Sequence, residues 1–269
     1  VPLVRKLRLN GIMKIWMRGS MTKIVACYCL HYGIEWLKWS MRSVEPFVDE
    51  IRVYYTPKPS HGYSSNLLCP DSRDELKAIA DEFGVIWHDG LYEREGQHRD
   101  FAYDDCIKNG ADTILVVDAD ELWKPEDIRT ALEYVSVGHQ SGYPDHRRWR
   151  VNMIHFWKSL NWVCRDNMWP ERIIIPSSGN AVEGYIPQHI AQPLHMGYAI
   201  SDELMRYKIS IHGHKAEFRP NWFEEKFLNW NGVGDVHPTC VDTWTPEPFH
   251  KNSIYDLVHD HPYFQLESL

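Results

Sequence analysis

At 269 residues the chain is long enough to bury the core of one large α/β domain, and two independent domains are not required. Its 37 acidic residues outnumber 29 basic ones, giving a net charge of −8 that argues against broad, phosphate-driven nucleic-acid binding. No apolar run approaches the roughly 18 residues of a membrane-spanning helix, and no signal-peptide core precedes a cleavage site; six cysteines with no CxxC pair point to a reduced, cytoplasmic protein.

Residues 1–20, "VPLVRKLRLNGIMKIWMRGS", carry Arg5, Lys6, Arg8, Lys14 and Arg18 with no acid and read as a basic leader outside the fold, Met21 making a natural start. From there strand and helix alternate. "TKIVACYCL" is a buried first strand, and "GIEWLKWSMRSVEPF" a helix with Ile34, Leu37, Met41 and Val44 on one face, stopped by Pro46. "DEIRVYYT" reads as the second strand. "DSRDELKAIADEFG" offers Ser72 and Glu75 as a capping box, a stripe of Leu76, Ile79, Ala80 and Phe83, and Gly84 as its end.

"VIWH" is a short third strand, followed by a helix near His98 to Asn109 that Gly110 closes. "DTILVVD" is the fourth strand. Pro125 then opens a helix with Glu126 and Asp127 in its first turn and Ile128, Ala131, Leu132 and Val135 facing inward. Repeated units of this kind imply a mostly parallel sheet with helices on both faces. After Gly138 the rhythm breaks. "RRWRVNMIHFW" and "ERIIIP" read as strands and Asp202 to Lys208 as a helix, among intervals rich in Trp, Pro, Asn and His. No internal repeat or low-complexity linker appears, so 139–269 reads as an elaboration of the same domain as 21–138.

The fourth strand runs into "DADE". In an open parallel sheet ligands gather beyond the carboxyl ends of the strands, where Asp118 and Asp120 stand. If the strand continues that far, their i, i+2 spacing points both carboxylates to one side. Two such groups repel unless a cation lies between them, and a hard divalent ion would leave positions open for phosphate oxygens.

Here the chain resembles the nucleotide-sugar-dependent glycosyltransferases of the GT-A fold, in their family 2-like group. The resemblance runs from about Lys23 to Lys215 and rests on "IVACYCLHYGIEWLKWSMRSVEPFVDEIRVYYT", on "HRDFAYDDCIKNGADTILVVDADELW" and on "PLHMGYAISDELMRYK". It implies a Rossmann-like GT-A sheet whose first half, 21–138, binds the nucleotide-sugar donor, with a UDP-sugar expected. The second half, 139–269, would bind a glycan or other hydroxyl-bearing acceptor and complete the metal shell. Carried over by position, Asp118 approaches the ribose or the cation, Asp120 ligates Mn²⁺ or Mg²⁺, and His195 completes the shell, with His212 and His214 competing for that place. Leu30, His31, Tyr32, Thr56 and Asp89 are expected around the nucleotide, and Arg99 near the donor.

An inverting transfer needs a carboxylate to accept the acceptor's proton. Glu171 is the first choice, followed by Asp166 and Asp202. The loops holding Trp157, Trp162 and Trp169 offer flat faces for an acceptor. Two other readings share these residues. A nucleotidyltransferase or other metal-dependent phosphoryl-transfer enzyme would use the same sheet edge, but "CYCLHYGIEW" lacks its Gly- and Lys-rich phosphate loop. A non-catalytic carbohydrate-binding protein would use the tryptophans and leave the paired aspartates unexplained. Nucleic acid is not an expected partner, although the basic "HRRWR" at His146 to Arg150 could serve modified DNA as a specialised acceptor.

Overall fold

A computed structural model describes residues 23–60, 65–141, 146–176 and 182–265; the basic leader lies outside them. The expected alternation is present: β1 (Ile24–Leu30), α1 (Ile34–Val44), β2 (Glu50–Tyr55), α2 (Arg73–Asp81), β3 (Ile86–Asp89), α3 (Glu95–Lys108), β4 (Thr113–Val116). Leu37, Met41 and Val44 are buried on α1. The chain leaves that helix through a tight turn at Glu45–Phe47, since Pro46 has no N–H with which to continue it. Ser72 Oγ accepts the Glu75 N–H at 3.2 Å, so α2 has its side-chain cap. Helix α3 starts a turn earlier than the sequence suggested.

Two sheets follow from these and the later elements: β5 (Glu121–Leu122), α4 (Pro125–Ser141), β6 (His146–Val151), β7 (Ile154–Trp157), β8 (Trp162–Arg165), β9 (Glu171–Ile174), β10 (Val182–Ile186), β11 (Leu194–Tyr198), α5 (Asp202–Ile211) and β12 (Glu247–Pro248). Among the described residues the first sheet runs β10-β6-β9-β4-β1-β2-β3. Its neighbours are parallel except β9, which is antiparallel to both β4 and β6. Alternate side chains of β1 enter different cores: Ala26, Tyr28 and Leu30 meet α1 residues, while Val25 and Cys27 meet Ala102 and Cys106 of α3. Burial on both faces explains the nearly unbroken apolar run of this strand. The architecture is thus the mostly parallel α/β sheet flanked by helices that the sequence leads one to expect.

The second sheet, β12-β8-β7-β11-β5, organises the aromatic half. Phe156, Trp157, Trp222 and Phe227 are buried in its core. The stretch "RRWRVNMIHFW" is two strands in two sheets rather than one. Asn152 sits at the break, buried, donating to Asp166 O at 2.9 Å and Met168 O at 3.1 Å and accepting from Gln192 Nε2 at 2.8 Å. Near the C-terminus His261 stacks on Trp36 with ring centroids 3.6 Å apart, tying the end of the described chain to α1. No helix among the described residues is long and apolar enough to cross a membrane.

Candidate functional site

The chain passes from one sheet to the other at Asp118–Glu121. β4 ends at Val116, and the Glu121 N–H closes a turn onto Asp118 O at 3.1 Å before β5 begins. The paired aspartates therefore sit in a turn, not on an extended strand, because Glu121 must already align with β11. Gly33 makes room for that turn: its φ is +128°, and a Cβ there would lie 2.5 Å from Ala119 Cβ.

Neighbouring strands then deliver charge of the opposite sign. Pairing of β9 with β4 brings Arg172 beside the turn, where it donates to Asp118 Oδ2 at 2.7 Å and to both oxygens of Glu121. Arg99 on α3 lies 4.0 Å from Asp118 Oδ1. Lys208 on α5 donates to Asp120 Oδ2 at 3.3 Å and to Gly197 O at 2.9 Å. On β11, His195 is the partner of Glu121 on one side and of His155 on the other, which places its Nε2 3.7 Å from Asp120 Oδ2.

The carboxylates respond differently to this setting. Burial alone would raise Asp118, yet the Arg172 and Arg99 guanidiniums hold it well below the usual carboxylate range. Burial is likewise overcome at Asp120, chiefly by the Lys208 ammonium, and its pKa is lowered. At Glu121 burial wins, pushing the carboxyl up to about 8 against the pull of Arg172. Burial also pushes the His195 imidazole down to about 3, so the ring is neutral.

These groups surround a cavity of about 180 Å³ lined by Tyr32, Arg99, Asp118, Asp120, His195 and Lys208, among others. His31 also lines it, held by Thr56 O at 2.8 Å and Tyr207 Oη at 2.7 Å. Leu30 and Thr56 lie behind this wall, both buried. Asp89 lies apart, paired with Arg73 at 2.6 and 2.7 Å. Of the three carboxylates considered as bases, Asp166 lines a second cavity of about 950 Å³ that shares His195 with the first. Glu171 pairs instead with Arg148 at 3.0 Å, and Asp202 is exposed, 3.6 Å from Lys158; neither lines the two cavities. His212 and His214 line the second cavity rather than the first.

None of Trp157, Trp162 and Trp169 lines either cavity. Trp157 is core, Trp162 packs edge-on against Trp230, and Trp169 against Tyr185, whereas the second cavity is lined by Tyr198 and Trp244. Sequence reasoning did not single out Arg172 as a partner of Asp118, or His155, or Cys29, Ser60 and His98 of the first cavity. The one available signal was the position of Arg172 in an apolar strand, "ERIIIP", where an isolated charge needs a buried partner.

Among the described residues, no group of three or more His, Cys, Asp and Glu side chains forms a ready-made metal centre. Asp120 and His195 are a two-donor set, with Lys208 on Asp120 Oδ2 and Arg172 on Asp118 Oδ2. A carboxylate oxygen and a neutral imidazole nitrogen facing the same cavity suit a hard divalent ion that keeps its other positions for phosphate oxygens and water.

No protein-family model matches the chain. No curated protein matches it either. Solved structures with a similar course include S. aureus TarS, at 11% identity and a TM-score of 0.42 over 78% of this chain and 43% of that one. They also include S. aureus TarS 1–349 in complex with UDP, at 12% identity and a TM-score of 0.34 over 50% of this chain and 36% of that one. A third is CMP:2-keto-3-deoxy-manno-octonic acid synthetase complexed with CTP, at 14% identity and a TM-score of 0.33 over 58% of this chain and 72% of that one. The chain thus spans less than half the length of either TarS chain.

Proposed function

We propose that the chain is a glycosyltransferase that takes a sugar from a nucleotide-sugar donor, a UDP-sugar first among the candidates, and passes it to a hydroxyl-bearing acceptor. The observation that carries this reading is the convergence of Asp118, Asp120, Arg99, His195 and Lys208 on one cavity at the carboxyl end of the parallel strands. Asp120 and His195 are the side chains that would hold Mn²⁺ or Mg²⁺, with Asp118 alongside. When bound, such an ion supplies Lewis-acid stabilisation of a departing diphosphate.

The chain's own residues have separate parts. Arg99 and Lys208 provide fixed positive charge for phosphate oxygens in a partly desolvated site. Arg172 keeps Asp118 ionised and oriented. Tyr32 and His31 form the wall available to the nucleoside. The wider cavity beyond His195, with Tyr198, Trp244 and Asp166, is the space available to the acceptor.

A phosphoryl-transfer enzyme built on a phosphate loop after β1 is less well supported. The N–H groups of Gly33 and Ile34, at the start of α1, already donate to Asp71 Oδ2 at 2.6 and 2.8 Å. Those amides are therefore engaged rather than aimed at a ligand. The test is a panel of nucleotide sugars incubated with and without Mn²⁺ or Mg²⁺, following release of nucleoside diphosphate. Metal-dependent release from one donor that Asp120→Ala abolishes supports the reading; absence of binding and of turnover with every donor overturns it.

A further inference from the structure

His195 is held from behind by two residues that take no part in lining the smaller cavity. His155 Nδ1 is 2.9 Å from His195 Nδ1; His155 Nε2, a buried ring nitrogen with no aligned hydrogen-bond partner, has Asp166 Oδ2 3.3 Å away. Asp166 is itself fixed, accepting from Trp244 Nε1 at 2.9 Å and from the Met168 N–H at 2.8 Å. The side chains of His155 and Asp166 are each 9% exposed, so water does little to soften a mismatch between them.

A neutral imidazole has one N–H, and two facing Nδ1 atoms can share a hydrogen in one of two orders. If His155 donated from Nδ1, its bare Nε2 would face a carboxylate oxygen at 3.3 Å, lone pair against lone pair. If His155 instead turns its Nε2–H toward Asp166, its Nδ1 accepts from the His195 Nδ1–H. The His195 Nε2 is then left as a lone pair pointing at the cavity and at Asp120, 3.7 Å away. The second order satisfies the closer and more buried contact.

We propose that Asp166 and His155 are positioning residues that lock His195 in the Nδ1–H tautomer and in the ring orientation that presents Nε2 as a donor atom for a divalent cation. Register supports the assignment, since His155 and His195 are direct partners in the pairing of β7 with β11. A carboxylate acting through a hydrogen-bonded ring also makes the distal nitrogen more basic toward a metal. The inference rests on the reading of His195 as a cation ligand, and its test separates the two.

Mn²⁺ alone, without donor, is titrated calorimetrically into the wild-type protein and into His155→Phe, Asp166→Asn, His195→Gln and the double variant His155→Phe/His195→Gln. Circular dichroism and melting establish that each is folded. In the metal-free wild type, nitrogen NMR of labelled histidine reads the tautomer of His195, whose signals are assigned by their loss in His195→Gln. The expected result is an Nδ1–H tautomer, a Kd for Mn²⁺ raised about 10- to 100-fold by either relay substitution, and no further loss when His155→Phe is added to His195→Gln. If Mn²⁺ binds through His195 but the folded relay variants bind it as the wild type does, or if His195 carries its proton on Nε2, the positioning role is wrong while the functional reading stands. If the wild type binds no Mn²⁺, the positioning role and the reading of His195 as a cation ligand both fall. The NMR measurement needs no relay variant, so it decides the tautomer even where a substitution fails to fold.

Discussion

His195 lies directly across from Glu121 in the antiparallel pairing of β11 with β5, and the next amide along, Met196 N–H, donates to Asp120 O at 2.7 Å. This register joins the imidazole to the aspartate turn by backbone bonds, so the site belongs to neither sheet alone. Its most direct consequence concerns Asp120, whose carboxylate faces Lys208 and His195 together. Asp120→Asn keeps the shape and removes the charge. The expected loss in turnover is on the order of 100-fold or more, the scale of removing one electrostatic contact from a preorganised site. Nucleoside-diphosphate release measured beside a thermal melt checks this, and the melt should move little.

Gly197 gives a second handle on the same cavity. A Cβ at this position would lie 2.5 Å from His195 Cε1 and Nε2 and 2.6 Å from Lys208 Nζ. The lysine end can swing away, but the ring is held by His155, so crowding should express itself as a displaced imidazole. Gly197→Ala is expected to fold with a loss of about 1–3 kcal/mol and to weaken donor binding about tenfold. Isothermal titration with a non-hydrolysed nucleotide, compared with urea unfolding, distinguishes this from a general loss of structure.

Much of the first sheet was legible because its rules are local. An apolar run buried on both faces, the Ser72 cap, and Pro46 after α1 each act within a few residues. The placing of Asp118 and Asp120 just beyond the carboxyl end of β4 followed from counting alternating strands; they line one cavity with Arg99 and Tyr32, two residues named from the resemblance. What could not be read is what long-range register decides. Nothing near Arg172 announces that β9 runs antiparallel beside β4, and nothing in "VNMIHFW" announces that Asn152 ends one sheet and starts another. The same holds for Trp157: its flat face looked available for an acceptor, but pairing of β7 between β8 and β11 buries it.

Arg172 and Glu121 supply a stability test. Glu121 is fully buried and already near neutrality, its carboxyl pushed up to about 8. Removing the guanidinium leaves Asp118 without its 2.7 Å counter-ion and Glu121 without a donor, whereas replacing the near-neutral acid leaves a hydrogen-bonding amide. Arg172→Met should therefore cost about 3–5 kcal/mol, the range for breaking one side of a buried pair. Glu121→Gln should cost much less, and adding it to Arg172→Met should change the loss little, since the stranded charge is on Asp118. Urea denaturation of the four proteins gives the coupling directly.

His261 sets an expected dependence of stability on pH. Its ring stacks on Trp36, its Nε2 lies 2.8 Å from Glu35 O, and its Nδ1 accepts the Tyr263 N–H at 3.0 Å. That pattern requires a neutral ring with the proton on Nε2. Burial accordingly pushes the imidazole down to about 4 from its ordinary 6.5. Between these values the unfolded chain binds more protons than the folded one, so unfolding free energy rises with pH across the window and is lost on acidification. A shift of this size corresponds to about 3 kcal/mol at most between the two ends. His261→Phe retains a ring against Trp36 but cannot titrate. Chemical denaturation at several pH values from 4 to 7 should therefore show a shallower slope in the variant than in the wild type; equal slopes would mean that this ring contributes nothing to the acid sensitivity of the fold.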